Sequence, residues 1–240
     1  MCTRNPQVET EKMSNILSKI RKPFRYQFSN AALILIIINV VVFFLYNYTF
    51  LLPIREEYLS LNVIGFIYNK CFWQPLTYMF MHANMTHLFS NMLGLLFFGI
   101  QVEKAIGSKE FLLLYFVVGI LSGLFSVLLY YLLGLYQISL GFQPYAFLNS
   151  LVGASGAIYG ILLAFATIFP KSRIYVWFIL PVPAPILVIA YAAIEFFSQF
   201  ASASNVAHYT HLAGFAIAFF YFIVRFGVNP IKVWRDAFRK

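Results

Sequence analysis

One serine and four histidines are the residues whose types and spacing suggest chemistry. A serine hydroxyl becomes an effective nucleophile when an adjacent base, often an imidazole, accepts its proton. Ser155 stands in the sequence Gly-Ala-Ser-Gly at residues 153–156, and His211 begins the sequence His-Leu-Ala-Gly at residues 211–214. If the fold brings these two side chains together, they predict acyl transfer through a covalent intermediate, the chemistry that hydrolyses peptide bonds.

The acidic residues offer no obvious partner for orienting the base. The only aspartate, Asp236, follows the last apolar run of the chain, and Glu195 alone lies near the outer end of such a run. The sequence therefore predicts a catalytic dyad of Ser155 and His211, with Glu195 a remote candidate for orienting the imidazole. His208, three residues before His211, leaves a second choice of base open.

His87 and Asn91 are four residues apart, so they project from the same face of a helix. Side-chain N–H groups at these positions can stabilise the oxyanion of an acyl-transfer intermediate. The alternative for both residues is hydrogen bonding between helices without chemistry. His82 and His208 have a further alternative, as interfacial histidines near lipid headgroups.

The elements that position these residues are long apolar runs. The chain is 61% hydrophobic and only 10% charged, with a mean hydropathy of +0.78, which excludes an ordinary soluble domain. A helix needs about 20 apolar residues to cross a bilayer. Six runs approach this length, and they predict an all-α polytopic membrane protein with a six-transmembrane-helix bundle: roughly 30–52, 83–102, 111–134, 151–169, 175–199 and 207–228.

The net charge of +9 is arranged as a topology signal rather than as a nucleic-acid patch. Of the 17 lysines and arginines, six precede the first run, five follow or end the last one, and two lie in each of the connections after runs two and four. Only Arg55 and Lys70 lie in connections on the opposite side. Because positive charge is retained on the cytoplasmic side, both termini are predicted to be cytoplasmic. Because the placement of the basic residues is explained by membrane topology, no nucleic-acid partner is predicted.

Ser155 and His211 are predicted to lie at similar depth in the bilayer. From Ser155 to the cytoplasmic marker Lys171 the helical rise gives about 24 Å, and from His211 to Arg225 about 21 Å, against a hydrocarbon core of about 30 Å. Both side chains should therefore lie several Å below the outer surface.

Small residues near both positions predict that the fourth and sixth runs pack closely. Gly156 and Gly160 form a GxxxG pair, and Gly214 and Ala218 repeat the pattern of small residues. Such pairs let two helix backbones approach without lipid between them. A hydrogen bond between Ser155 and an imidazole requires this approach.

The chain divides into three predicted parts: a cytoplasmic basic segment at 1–28, a membrane domain at 29–228 and a cytoplasmic basic tail at 229–240. Pro181, Pro183 and Pro185 lie within the fifth run. They predict that its first part is extended or kinked before a regular helix starts.

Together these motifs resemble the rhomboid family of intramembrane serine proteases, and the resemblance extends over nearly all of runs two to six. Its elements, in chain order, are Trp73-Gln74, the segment HANMTHLFSN at 82–91, Glu103-Lys104, GASGAIYG at 153–160 and HLAG at 211–214. The chain departs from the family pattern at Thr210, where alanine is common, and at Ala218, where glycine is common. Both replacements are small, so close packing of runs four and six should be retained.

The resemblance implies a role for each site residue. Ser155 is expected to be the nucleophile, His211 the general base, and His87, Asn91 and the backbone N–H of Ser155 the oxyanion site. Tyr159 is expected to pack on the catalytic imidazole. The supporting positions are His82, Gly153, Gly156 and Gly214.

The resemblance also implies the basic six-helix bacterial form, in the plasma (inner) membrane. Its partners would be the lipid bilayer and transmembrane protein substrates, and no cofactor or metal is expected. Two other classes stay open: a metal-binding membrane protein with the four histidines as ligands, and a catalytically inactive relative that binds membrane clients.

Overall fold

The chain is almost entirely helical, which confirms the predicted all-α class. The computed structural model describes Ser18 and residues 30–48, 54–176, 179–201 and 206–239. The helices are α1 (Ala31–Asn47), α2 (Gln74–Thr77), α3 (Met85–Gly94), α4 (Ile100–Ile106), α5 (Ser108–Ser139), α6 (Ser155–Ile168), α7 (Ala184–Ala201), α8 (Val206–Phe226) and α9 (Pro230–Phe238). The two short strands are β1 (Arg173–Val176) and β2 (Leu180–Pro183). The described residues also contain short π-helical segments, Arg55–Leu59, Ile64–Tyr68 and Leu95–Gly99, and 3₁₀-helical segments, Tyr78–Phe80 and Tyr145–Leu148.

Apolar helices in the described part of the chain correspond to the six predicted runs. α3 continues into α4 through a π-helical turn, Leu95–Gly99, and the combined helix spans Met85–Ile106. This helix, α5 and the His208–Phe226 part of α8 are long and apolar enough to cross a membrane. α1, α6 and the Ala184–Ser198 part of α7 are apolar but shorter.

The fifth predicted run begins too early, at residue 175, because a β-hairpin occupies its first part. β1 and β2 pair antiparallel, with Arg173 opposite Pro183. Prolines lack the N–H that a helix interior needs, and β2 keeps the chain extended over Leu180–Pro183, directly before α7 begins at Ala184. The extended start predicted from the prolines is therefore confirmed, whereas the boundary of the helix is corrected.

α6 lies at the centre of the bundle. Twelve of its 14 residues are buried, and the helix packs against α5 on one side and α8 on another. A Cβ added to Gly160 would lie 2.7 Å from Val118 of α5 and 3.2 Å from Ala218 of α8. The small residues predicted to allow close approach are therefore at the helix contacts.

α1 is attached to the bundle by a carboxylate from α4. Glu103, which is fully buried, accepts hydrogen bonds from the backbone N–H groups of Ala31, at 2.7 Å, and Ala32, at 2.9 Å. Ser108 donates a further hydrogen bond to the same side chain. The first amides of a helix have no partner inside it, so Glu103 caps α1 from a distant part of the sequence.

The predicted basic tail, 229–240, contains the helix α9. Asn229 caps this helix by accepting from the N–H of Lys232 at 3.1 Å, and the indole of Trp234 donates to the carbonyl of Ala166 at 3.0 Å. The tail is thereby docked on α6. Its cytoplasmic placement stays a prediction, and the predicted segment 1–28 lies outside the described residues apart from Ser18.

Candidate active site

Ser155 is the first residue of α6, and a strained turn precedes it. Gly153 has a φ of +115°, a conformation that residues with a side chain rarely adopt. Its N–H donates to the carbonyl of Tyr78 at 2.9 Å. A Cβ on Gly153 would also lie 2.6 Å from Nε2 of His87. Glycine is therefore required here both by the backbone and by the neighbouring imidazole.

His211 comes from the second turn of α8 and faces Ser155. Its Nε2 lies 2.8 Å from the Ser155 hydroxyl oxygen, within the range of a hydrogen bond. The two residues are 56 positions apart in the sequence. The sequence predicted this contact from the similar depth of the two residues in the bilayer and from the small residues on the fourth and sixth runs. The fold brings the two side chains together.

The ring of Tyr159 stacks on the imidazole of His211. The ring centroids are 4.2 Å apart and the planes differ by 8°. Phe215 packs edge-on against the same tyrosine at 5.0 Å. Tyr159 lies one turn beyond Ser155 on α6, so the contact expected for it from the resemblance is present.

Glu195 of α7, the remote candidate for orienting the imidazole, lies beside His211. Its Oε1 is 2.9 Å from Nδ1 of His211, and its Oε2 is 2.5 Å from Nδ1 of His208. The hydroxyl of Tyr159 donates a hydrogen bond to Oε1. The contact with His211 has the distance of an ion pair, but the ring N–H does not point directly at the oxygen.

His87 and Asn91 of α3 lie beside the turn that precedes the serine, where a Cβ added to Gly153 would be 2.6 Å from Nε2 of His87 and 3.5 Å from Nδ2 of Asn91. Together with Ser155, Tyr159 and His211 they line a cavity of about 750 Å³. The amide nitrogen of Asn91 is buried without a hydrogen-bond partner among the described residues, an unusual state for a polar group. It therefore has a donor available for a ligand in the cavity.

His82 packs against the imidazole ring of His87. Its side chain is fully buried, and the two imidazole rings meet edge to face with centroids 5.1 Å apart. Burial, with a further contribution from His87, lowers the pKa of His82 to about 3. His82 is therefore neutral near pH 7 and packs as an uncharged ring.

Close helix contacts surround the Ser155–His211 pair. Gly156 meets the side chains of Ser122 and Thr210, since a Cβ added to it would lie 3.1 Å from each. The hydroxyls of Ser126 and Thr210 are 2.8 Å apart, which links α5 to the residue preceding His211. Thr210, the departure from the family pattern, thus has a polar partner in its buried position.

The four histidines do not converge on one point. His82 contacts His87, whereas His208 and His211 contact different oxygens of one carboxylate. Within the described ranges, no group of three or more histidine, cysteine, aspartate or glutamate side chains has an arrangement that could hold a metal ion.

The chain belongs to the rhomboid family, whose rhomboid domain matches residues 69–227. It is accordingly an integral membrane protein with a polytopic helical fold. Its similar proteins include Rhomboid protease AarA of Providencia stuartii, 36% identical over 140 residues that cover 55% of this chain and 48% of that protein. RHOMBOID-like protein 12, mitochondrial, of Arabidopsis thaliana is 31% identical over 146 residues, 60% of this chain and 43% of that protein.

Another relative carries a name that bears on activity. Inactive RHOMBOID-like protein 8 of Arabidopsis thaliana is 38% identical over 60 residues, 25% of this chain and 17% of that protein. The chain spans less than half the length of each of these three curated relatives. Family membership by itself therefore does not decide whether this chain is a protease.

Proposed function

We propose that the protein is an intramembrane serine endopeptidase that cleaves transmembrane protein substrates. The observation that carries this proposal is the distance of 2.8 Å between Nε2 of His211 and the hydroxyl oxygen of Ser155. An imidazole at this distance can accept the hydroxyl proton as the oxygen attacks a carbonyl carbon. Family membership and a relative named as a protease support the same reading.

The proposed reaction proceeds in two stages. The Ser155 oxygen forms a bond to the carbonyl carbon of the scissile peptide while His211 takes its proton, and the resulting imidazolium then protonates the leaving amine as the C–N bond breaks. In the second stage His211 deprotonates a water molecule whose oxygen attacks the acyl carbon, and the imidazolium then returns the proton to the Ser155 oxygen as the ester C–O bond breaks and the acid product leaves. Tyr159, stacked on the imidazole, holds the ring plane during both proton transfers.

The oxyanion of the tetrahedral intermediate would be bound on the side of α3. Asn91 offers a buried N–H₂ group without a partner in the described residues, and His87 lines the same cavity. The backbone N–H of Ser155 is a third donor, because the first amides of a helix are not used within it. Donors held in place before the reaction stabilise developing charge without reorganisation.

The substrate would reach Ser155 from within the membrane. Aromatic and aliphatic side chains of α3, its π-helical turn and α6 also line the cavity, including Phe97, Phe98 and Leu162. The distribution of basic residues supports cytoplasmic termini and a cavity that opens to the outer side. A bacterial inner membrane is proposed by resemblance alone, and the relatives include a mitochondrial one.

The test uses purified protein in liposomes with a reporter carrying a cleavable transmembrane segment. Wild type should release the reporter fragment and should be labelled by a fluorophosphonate probe, whereas Ser155→Ala should do neither. Equal cleavage by wild type and Ser155→Ala would refute the assignment of the nucleophile.

Two alternatives give different results in the same preparation. A wild-type protein that binds the reporter but neither cleaves it nor accepts the probe would be an inactive client-binding relative. Stoichiometric metal in the purified protein, with cleavage abolished by a chelator, would favour the histidine-based metal site.

A further inference from the structure

We infer that Glu195 is a positioning residue for the catalytic base, so that the site works as a triad of Ser155, His211 and Glu195 rather than as a dyad. The inference deepens the proposed function and rests on it. The carboxylate comes from α7, whereas the nucleophile and the base come from α6 and α8. The site is therefore assembled from three helices.

The donors around Glu195 indicate a carboxylate held in one place. Tyr159 donates its hydroxyl proton to Oε1, and Nδ1 of His208 lies 2.5 Å from Oε2. The Glu195 side chain is only 8% exposed. Tyr159 belongs to α6 and His208 to α8, so the carboxylate is held from two helices. In this position its Oε1 lies 2.9 Å from Nδ1 of His211.

The tautomer of His211 follows from its two neighbours. To accept the proton of Ser155, Nε2 must be unprotonated, so Nδ1 of the neutral ring must carry the hydrogen. A carboxylate beside Nδ1 favours this tautomer and stabilises the imidazolium that forms when the serine attacks. The N–H is not yet aligned with the oxygen, and catalytic hydrogen bonds commonly tighten only once substrate is bound.

The other two buried glutamates of the described chain have different partners. Glu103 accepts from the N–H groups of Ala31 and Ala32, and Glu110 accepts from Tyr221 and Arg225. Each therefore has a structural function that explains its burial. The partners of Glu195 are two imidazoles and a phenol, one of these imidazoles being the base that contacts Ser155.

The first test measures kcat and KM of Glu195→Gln and Glu195→Asp against the transmembrane reporter. Glu195→Gln should lower kcat by at least about 10²-fold with little change in KM, since loss of the carboxylate from a serine triad costs up to roughly 10⁴-fold. Glu195→Asp, which keeps the charge on a shorter side chain, should recover part of the loss. Glu110→Gln is the matched control, because it removes another buried carboxylate that accepts from a tyrosine, and it should keep the wild-type kcat. Wild-type kcat in a folded Glu195→Gln protein would overturn the inference.

The second test does not depend on proteolysis. Nitrogen-15 NMR of labelled histidines, with His211 assigned by its loss in His211→Ala, reports which ring nitrogen carries the hydrogen. Wild type should show the Nδ1–H form of His211 and Glu195→Gln should show a mixture of tautomers. If the same tautomer persists in both proteins, the inference is wrong. If wild type cleaves no reporter, the proposed function fails, and the NMR comparison still decides whether Glu195 orients the ring.

Discussion

Gly214 lies so close to Gly156 that a Cβ atom added to Gly214 would come within 2.2 Å of the Gly156 carbonyl oxygen. The atom it would meet is backbone, which cannot rotate away as the end of a long side chain can. Any side chain at Gly214 must therefore move α8 away from α6. These two helices carry His211 and Ser155.

Gly214→Val should lower both stability and activity. Overpacking of a buried contact typically costs about 1–3 kcal/mol, and separation of the helices would also lengthen the distance between Ser155 and His211. Thermal unfolding and reporter cleavage measure the two effects. Ala216→Val on the exposed side of the same helix is the control and should leave both unchanged; similar behaviour of the two variants would mean that the contact does not align the site.

The identity of the base should appear in a comparison of His211→Ala with His208→Ala. His211 contacts Ser155, whereas the described contact of His208 is with Glu195. His211→Ala should reduce cleavage to background, and His208→Ala should leave a measurable rate. Because residues that act as a unit are not additive, the double variant Ser155→Ala, His211→Ala should be no slower than either single one. Full activity in His211→Ala with loss in His208→Ala would transfer the role of base to His208.

Asn91→Ala should reduce kcat without abolishing cleavage. Removal of one oxyanion donor typically costs about 10² to 10³ in rate. Its N–H₂ group makes no hydrogen bond within the described residues, so its loss should cost little folding stability. A large fall in the unfolding temperature with unchanged kcat would instead indicate a structural role between helices.

Topology can be read with reporters at two positions. A reporter fused after Lys240 should report cytoplasm, because 15 of the 17 basic residues fall on one predicted side. A second reporter inserted near Gln143, in the connection between α5 and α6, should report the outer compartment. The opposite pair of results would place the cavity on the cytoplasmic side.

Glu103→Ala should loosen α1 from the bundle. The substitution leaves two amides without this acceptor, and each buried group left unpaired costs about 1–3 kcal/mol. The unfolding temperature should fall, and protease cleavage near Ala31 should become faster. Glu57→Ala, which removes an exposed glutamate, is the control, and equal stability of the two variants would contradict the capping role.

The meeting of Ser155 and His211 could be predicted because it depends on quantities that a sequence carries. Helical rise sets the depth of each side chain below a charged marker, and the small residues at 156, 160, 214 and 218 mark the surfaces of contact. Both rules apply to helices whose start and end can be located from apolar runs. α6 and α8 are of this kind.

The placement of Glu195 could not be predicted because it depends on where α7 starts. The hairpin of β1 and β2 occupies the residues that the apolar run assigned to helix, so the rotation of α7 about its axis was unknown. When the rotation of the helix is unknown, a glutamate near its outer end can be assigned equally to a face toward lipid, headgroups or the bundle. Only the fold shows that Glu195 points at His211 and His208.

The cap on α1 also has a consequence for the order of assembly. Asn30 precedes the helix but makes no side-chain hydrogen bond to it, so the acceptor for its first amides is Glu103, about 70 residues further along the chain. During synthesis α1 emerges long before that acceptor does, and its amino-terminal end must be satisfied by water or headgroups in the meantime. We therefore expect α1 to enter the bilayer early as a separate helix and to dock only after the helix ending at Ile106 has been inserted.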